Sequence, residues 1–205
     1  MRMIIALGIF VVLTGCKTAP PEKQIQVSEG QWKTKALVKD KEQSRSYIVN
    51  INFNAIKNQK LRMDVTSALG TGVASMVVQD SEVRYILFDS KRFYFGQPQP
   101  NVMRPILAAP LDPRWLQSVL FDMPIPDKSW ICSSDASGLV QECKEGASSL
   151  QVNWSGRIGQ KKTIQIDHPK AHVQIIVQEF KPKVEDRKNL FNLEAPEGFQ
   201  KLRVR

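Results

Sequence analysis

The chain has 205 residues and a formal net charge of +9, with 42% hydrophobic and 24% charged side chains. These proportions are typical of a globular protein and exclude a chain that is disordered throughout. The length suffices for one domain with a sizeable core, and we expect a single domain. The excess of basic residues fits a negatively charged partner, such as anionic lipid head groups, an acidic protein or nucleic acid.

The N-terminal segment has the order of parts of a bacterial lipoprotein export signal. Arg2 precedes an uncharged apolar stretch, Met3–Val12, which is too short to cross a bilayer as a helix. Leu13-Thr14-Gly15-Cys16 follows, and a small residue before a cysteine is what the lipoprotein signal peptidase requires. We therefore expect residues 1–15 to be removed and Cys16 to carry the acyl groups. The alternative is an ordinary signal peptide with an incidental cysteine.

The next segment, residues 16–31, is predicted to be a lipidated tether. It contains Pro20 and Pro21 among mainly polar side chains, without a hydrophobic period. The folded domain is predicted to occupy residues 32–205. Because an exported protein seldom meets nucleic acid, we expect lipid or protein partners and no nucleic acid.

Alternation of apolar and polar residues dominates the folded part and predicts β-strands. In Val49–Asn54 every second residue is apolar and the others are asparagine, and Leu61–Thr66 repeats the alternation. Together the strand candidates number eleven, which predicts a mainly β fold with one curved antiparallel sheet. The other candidates are Thr34–Lys39, Val73–Gln79, Glu82–Phe88, Arg92–Phe95, Val140–Lys144, Ser149–Trp154, Lys162–Ile166, His172–Phe180 and Leu190–Leu193.

One helix is predicted in the middle of the chain. Asp112 is a good N-cap, Pro113 suits the first helical position, and the prolines of Met123-Pro124-Ile125-Pro126 end the helix. Its apolar face consists of Trp115, Leu116, Val119 and Leu120. The segment Asn101–Pro110 predicts an irregular turn or a second short helix. We expect one or two short helices over the mouth of the curved sheet.

Cys132 and Cys143 are the two cysteines that lipidation leaves, and such a pair in an exported protein usually forms a disulfide. Turn-forming residues between them, including Asp135 and Gly138, would let them face each other across a hairpin. Two separate thiols are the alternative. No metal site is expected, because the sequence lacks a CxxC spacing and has few histidines to join the thiols.

No catalytic residues and no cofactor are predicted, and we do not expect an enzyme. Ser137-Gly138 and Ser155-Gly156 lack the GxSxG frame of a nucleophile elbow, and no HExxH motif or phosphate-binding glycine loop occurs. His168 is interpreted as a surface loop residue.

Three stretches carry a resemblance to a known family. In Leu61–Met76 an alternating strand runs into the loop Ala68-Leu69-Gly70 and then into a second alternating strand. The helical stretch Pro113–Leu120 ends in Phe121-Asp122-Met123-Pro124, and Pro196-Glu197-Gly198-Phe199 lies in the closing segment. These features resemble the LolB family of outer-membrane lipoprotein receptors, within the superfamily of periplasmic lipoprotein carriers, over most of residues 32–205.

The resemblance implies a half-open barrel of about eleven strands whose cavity holds the acyl chains of other lipoproteins. Members of the family receive lipoproteins from a soluble periplasmic carrier, LolA, and insert them into the inner leaflet of the outer membrane. We expect a monomer that does the same from the periplasmic face of that membrane. Lys17 supports this location, because it replaces the aspartate that retains enterobacterial lipoproteins in the inner membrane.

The resemblance also implies the site residues. Leu69, between Ala68 and Gly70, corresponds to the membrane-insertion element, although composition alone favours a leucine folded back under the sheet. A packed core is the alternative interpretation of the cavity residues, and an envelope-assembly or structural lipoprotein without cargo transfer is the alternative function. The candidate acyl-chain cavity consists of Val49, Ile51, Phe53, Leu61, Met63, Val65, Trp115, Leu116 and Leu120.

Overall fold

A computed structural model describes residues 27–204, so the predicted signal segment and Cys16 lie outside the described residues. Twelve strands form one sheet in the order β12-β6-β5-β4-β3-β2-β1-β11-β10-β9-β8-β7. The strands are β1 (Glu29–Asp40), β2 (Arg45–Ile56), β3 (Lys60–Ser67), β4 (Gly72–Gln79), β5 (Glu82–Leu87), β6 (Arg92–Gly96), β7 (Trp130–Ser134), β8 (Val140–Glu145), β9 (Gln151–Ile158), β10 (Lys161–His168), β11 (Ala171–Lys181) and β12 (Gln200–Arg203).

The prediction of a mainly β protein built on one curved sheet is confirmed. The sheet does not close, because β12 and β7 are its two edges. Neighbouring strands are antiparallel except for β12, which runs parallel to β6. The strand number is twelve rather than eleven: β7 and β12 were not predicted, and the predicted strand Leu190–Leu193 is wrong. Leu190 ends the short helix α3 (Arg187–Leu190) instead.

The register of the β2–β3 pair follows from the alternation of apolar and polar residues. Ile51 pairs with Val65 and Phe53 with Met63 across β2 and β3, and all four side chains are buried on the inner face. The asparagines between them point to the outer face. Because a shift by one residue would exchange the two faces, burial of these apolar residues specifies the pairing.

A covering segment, residues 97–129, connects β6 to β7 and packs across the inner face. It contains a 3₁₀ turn (Pro100–Met103), α1 (Arg104–Leu107) and α2 (Trp115–Leu120). The short helices over the mouth are thus present, but Asp112 is not the N-cap of α2, whose cap position is Arg114. Asp112 instead accepts a hydrogen bond from the backbone N–H of Arg114 at 2.9 Å. No helix within residues 27–204 has the length and apolar character to cross a bilayer.

A second, smaller core lies on the outer face of the sheet. Val77, Ile86 and Phe93 point outwards there, and Phe191 and Leu193 of the C-terminal segment cover them. Beside this core, the Arg62 guanidinium donates a hydrogen bond to the Leu190 carbonyl at 2.8 Å. The apolar residues that suggested a strand at Leu190–Leu193 therefore serve packing against the sheet.

The predicted disulfide between Cys132 and Cys143 is present. The two residues lie directly opposite each other in the β7–β8 pair. The bond therefore fixes the edge strand β7 to its only neighbour in the sheet.

Candidate functional site

The structure brings the predicted cavity residues together on the inner face and the covering segment. Trp115 is half-buried and packs edge to face on Trp130, with ring centroids 5.1 Å apart. The other cavity candidates are buried members of the main core, namely Val49, Ile51, Phe53, Leu61, Met63, Val65, Leu116 and Leu120.

Side chains of the covering segment occupy the concave side of the sheet. Met103, Ile106, Leu107 and Leu111 are fully buried against the strands, together with Leu116 and Leu120 of α2. A cavity of about 310 Å³ lies elsewhere, lined by outer-face residues such as Lys60 and Arg84 and by Phe191 of the C-terminal segment. An acyl chain that enters the barrel must therefore displace side chains of the covering segment.

Polar contacts attach the covering segment to the sheet. The Trp154 indole N–H donates a hydrogen bond to the Val119 carbonyl at 2.9 Å, and the Tyr47 hydroxyl donates one to the Ile106 carbonyl at 3.3 Å. The Lys162 ammonium lies 2.5 Å from the Leu120 carbonyl. Both helices of the segment thus have a specific partner on the strands, and the last turn of α2 has two.

Lys162 is the buried charged residue among the contacts that attach the covering segment to the sheet. Its side chain is 0% exposed and pairs at 2.8 Å with the Asp122 carboxylate, which is 6% exposed. Burial lowers the pKa of Lys162, and the adjacent Asp122 opposes that shift. Arg157 lies 3.6 Å from the other oxygen of Asp122. Sequence reasoning missed this cluster, although Lys162 occupies the inward-facing position that Ile164 and Ile166 share.

Leu69 lies at the tip of the β3–β4 turn, and its side chain is 94% exposed. The Ser67 hydroxyl accepts hydrogen bonds from the N–H groups of Leu69 at 3.3 Å and Thr71 at 3.2 Å. Gly70 adopts a left-handed φ of +87°, and nothing lies within 4 Å of where its Cβ would be. This tight turn directs Leu69 away from the sheet, contrary to the folded-back position that composition alone favours. Ala68 and Gly70 beside it are exposed as well.

The two histidines lie near one another at the β10–β11 hairpin without forming a metal site. His172 Nδ1 is 2.6 Å from the Asp167 carboxylate, and burial is the main cause that lowers the pKa of His168. Across residues 27–204, no three His, Cys, Asp or Glu side chains converge in a way that could hold a metal ion.

Comparison with known proteins identifies the fold. No protein-family model and no curated protein sequence matches the chain. A solved LolA superfamily protein from Nitrosomonas europaea is similar, with a TM-score of 0.54, 7% identity, and coverage of 82% of this chain and 91% of that one. A putative outer membrane lipoprotein-sorting protein domain from Vibrio parahaemolyticus has a TM-score of 0.52, 7% identity, and coverage of 80% and 89%. The fold implied by the resemblance is confirmed, and at this identity the likenesses show the fold alone.

Proposed function

We propose that this protein is a LolB-like receptor, an outer-membrane lipoprotein that binds the acyl chains of other lipoproteins and inserts them into that membrane. The observation that supports this function best is the 94% exposure of Leu69 on an uncharged turn of a sheet with the LolA-superfamily fold. The Vibrio domain with a similar fold bears the name putative outer membrane lipoprotein-sorting protein domain.

The cargo site in this proposal is the inner face beneath the covering segment. Each methylene moved from water contributes about 0.8 kcal/mol, so an acyl chain of about sixteen carbons contributes on the order of 10 kcal/mol. That is comparable to the whole stability of a typical domain, roughly 5–15 kcal/mol. Binding of cargo can therefore offset the loss of packing when the apolar side chains of α1 and α2 leave the concave side.

Transfer requires neither a cofactor nor covalent chemistry, since cargo moves towards the site that binds it better. A LolA-like soluble carrier delivers the acyl chains to the inner face, and the bilayer receives them. Burial of Leu69 in the lipid interface contributes roughly 2 kcal/mol. This is enough to bias the transfer step but far less than the acyl groups on Cys16 contribute to anchoring.

The proposal is tested with Leu69→Glu, which places a charge at the turn without touching the core. We expect this variant to fold and to accept acylated peptide, yet to fail in delivering it to liposomes. Ile158→Glu is the matched control, because Ile158 is a 72% exposed apolar side chain at the opposite end of the sheet. Its delivery should equal that of the unmodified protein. Unchanged delivery by Leu69→Glu, or a large fall in its melting temperature, would contradict the proposed role.

A structural or envelope-assembly lipoprotein is the second candidate, and the filled concave side favours it. Native mass spectrometry on protein purified without its anchor separates the two functions, because a receptor should retain lipid or acylated peptide. Depletion in the parent organism separates them in vivo. Mislocalised lipoproteins support the receptor, and normal sorting supports the structural function.

A further inference from the structure

Strand directions place five hairpin turns at one end of the sheet, which we call the Leu69 end. The β8–β9 turn (residues 146–150) is one of them, and the other four follow one another along the sheet. The turn that carries Leu69 lies between the β1–β2 turn (residues 41–44) and the β5–β6 turn (residues 88–91). The β10–β11 turn (residues 169–170) lies beyond the β1–β2 turn, because Asp40 pairs with Ala171. These turns belong to neighbouring hairpins and face the same side of the molecule.

Phe88 is a second apolar side chain at this end. It begins the β5–β6 turn, its backbone N–H donates to the Val73 carbonyl at 3.1 Å, and its side chain is 38% exposed. Its ring lies over Gly72, since a Cβ there would be 3.3 Å from the ring. Gly72 opens β4 directly after the turn of Leu69. The Leu69 end therefore presents two large apolar groups on adjacent turns.

Cationic side chains flank this apolar pair. Lys91 and Arg92 are exposed on one side, and within residues 27–204 neither is paired with an acidic group. On the other side, the Lys41 ammonium donates a hydrogen bond to the His168 backbone carbonyl, at 3.1 Å. The exposed Arg45 and Lys170 add to this side.

Acidic groups at the Leu69 end are fewer and partly neutralised. They are Asp40, Glu42, Asp89, the buried Glu145 at the end of β8, and Glu197 in the turn before β12. Glu42 pairs with both Arg104 at 2.6 Å and Lys170 at 2.7 Å. The turn between the two cationic sides, residues 68–71, carries no charge. The arrangement has an apolar centre and a net positive surround, which is the complement of an anionic bilayer surface with its apolar interior below.

We propose that the Leu69 end is a docking surface for anionic phospholipid bilayers, in which Phe88 enters the interface beside Leu69 and Lys91 and Arg92 bind phosphate head groups. The inference deepens the proposed function, because it names the lipid class that the insertion turn meets. Docking requires no cargo, so it is measured separately from transfer.

Vesicle sedimentation of the unlipidated full chain, Cys16→Ser, tests the surface. Vesicles of phosphatidylcholine are compared with vesicles that also contain phosphatidylglycerol. The test variant in this background is Lys91→Glu with Arg92→Glu. The matched control is Lys161→Glu with Lys183→Glu, which changes the net charge equally at exposed positions of the opposite end.

We expect the parent to bind the anionic vesicles at least about tenfold more tightly than the phosphatidylcholine vesicles. The test variant should lose about tenfold or more of its affinity for anionic vesicles, because each basic residue near the membrane surface adds to the binding free energy. The control should stay within about twofold of the parent, and high salt should abolish the preference for anionic vesicles. Phe88→Ser should weaken binding to both vesicle types by roughly fivefold, and Phe88→Leu should retain it.

Equal binding to both vesicle types, or equal losses in test and control variants, would overturn the docking surface. The test variant could also bind vesicles as well as the parent does and yet receive less cargo from the carrier. That result would show that the surface binds a protein, and it would overturn the lipid-docking proposal as well. If the protein showed no preference for anionic vesicles but still delivered cargo in a way that depends on Leu69, the docking surface would be rejected and the receptor function retained. Intact docking by a protein that delivers no cargo would reject the receptor and retain the surface.

Discussion

Lys162→Met is the substitution that best tests how strongly the covering segment is attached to the sheet. It replaces a fully buried ammonium by an apolar side chain of similar length, at the inward-facing position of β10. Asp122 would then keep only Arg157, at 3.6 Å, as a cationic neighbour. The Leu120 carbonyl would also lose the ammonium that lies 2.5 Å away.

The expected cost follows from the burial of Asp122, which is 6% exposed. Removal of one partner from a buried ion pair destabilises a protein by about 3–5 kcal/mol, because the remaining charge stays desolvated. Since Arg157 still neutralises part of that charge, we expect about 3 kcal/mol for Lys162→Met. The double variant Lys162→Met with Asp122→Asn leaves no unpaired carboxylate, and we expect it to recover at least half of the loss. Asparagine also tolerates the positive φ of 53° at this position.

Guanidinium unfolding followed by tryptophan fluorescence measures both variants. Lys161→Met is the control, because it makes the same substitution at the exposed neighbour, and it should change the free energy of unfolding by less than about 0.5 kcal/mol. The reasoning would be refuted if Lys162→Met cost less than about 1 kcal/mol, or if the double variant were no more stable than the single one.

Two further predictions concern the cysteines. The double variant Cys132→Ser with Cys143→Ser should lower the free energy of unfolding by roughly 3 kcal/mol, because the disulfide closes a short loop in the unfolded chain. Peptide mapping of the unmodified protein without reductant should recover the linked pair. Free thiols in periplasmic material would contradict the disulfide. Cys16→Ser should release the protein from the membrane fraction, since acyl groups supply most of the anchoring. Retention of that variant in the pellet after a salt wash would disprove the anchor.

The sheet was largely predictable because its core strands alternate strictly. Where this pattern is absent, other forces decide the structure. The edge strand β7 is tied to β8 by the disulfide, while β12 has four mainly polar residues and is placed by parallel pairing with β6. At Leu190–Leu193, apolar residues indicated a strand, but burial against the outer face was satisfied by a short helix and an irregular segment.

The candidate site was predictable in part. Inward-facing apolar residues of β2 and β3 could be assigned from their period alone. The exposure of Leu69 was implied by the family resemblance and not by its hydrophobicity, which favours a buried leucine. The turn geometry around Ser67 and Gly70 directs the side chain outwards. Lys162 was missed because its partner Asp122 is 40 residues away in sequence, and no local pattern joins the two.

The direction of β1 determines how far Leu69 lies from the predicted lipid anchor at Cys16. β1 begins at Glu29, at the end of the sheet opposite Leu69, and its twelve residues extend about 40 Å. Only residues 17–28 separate Cys16 from that strand, and they can span at most about 40 Å. If Cys16 is anchored in the bilayer that Leu69 enters, these residues must cover about the length of β1, and their maximum span is just sufficient. Deletion of four residues would remove about 14 Å of reach and hold Leu69 away from its own membrane.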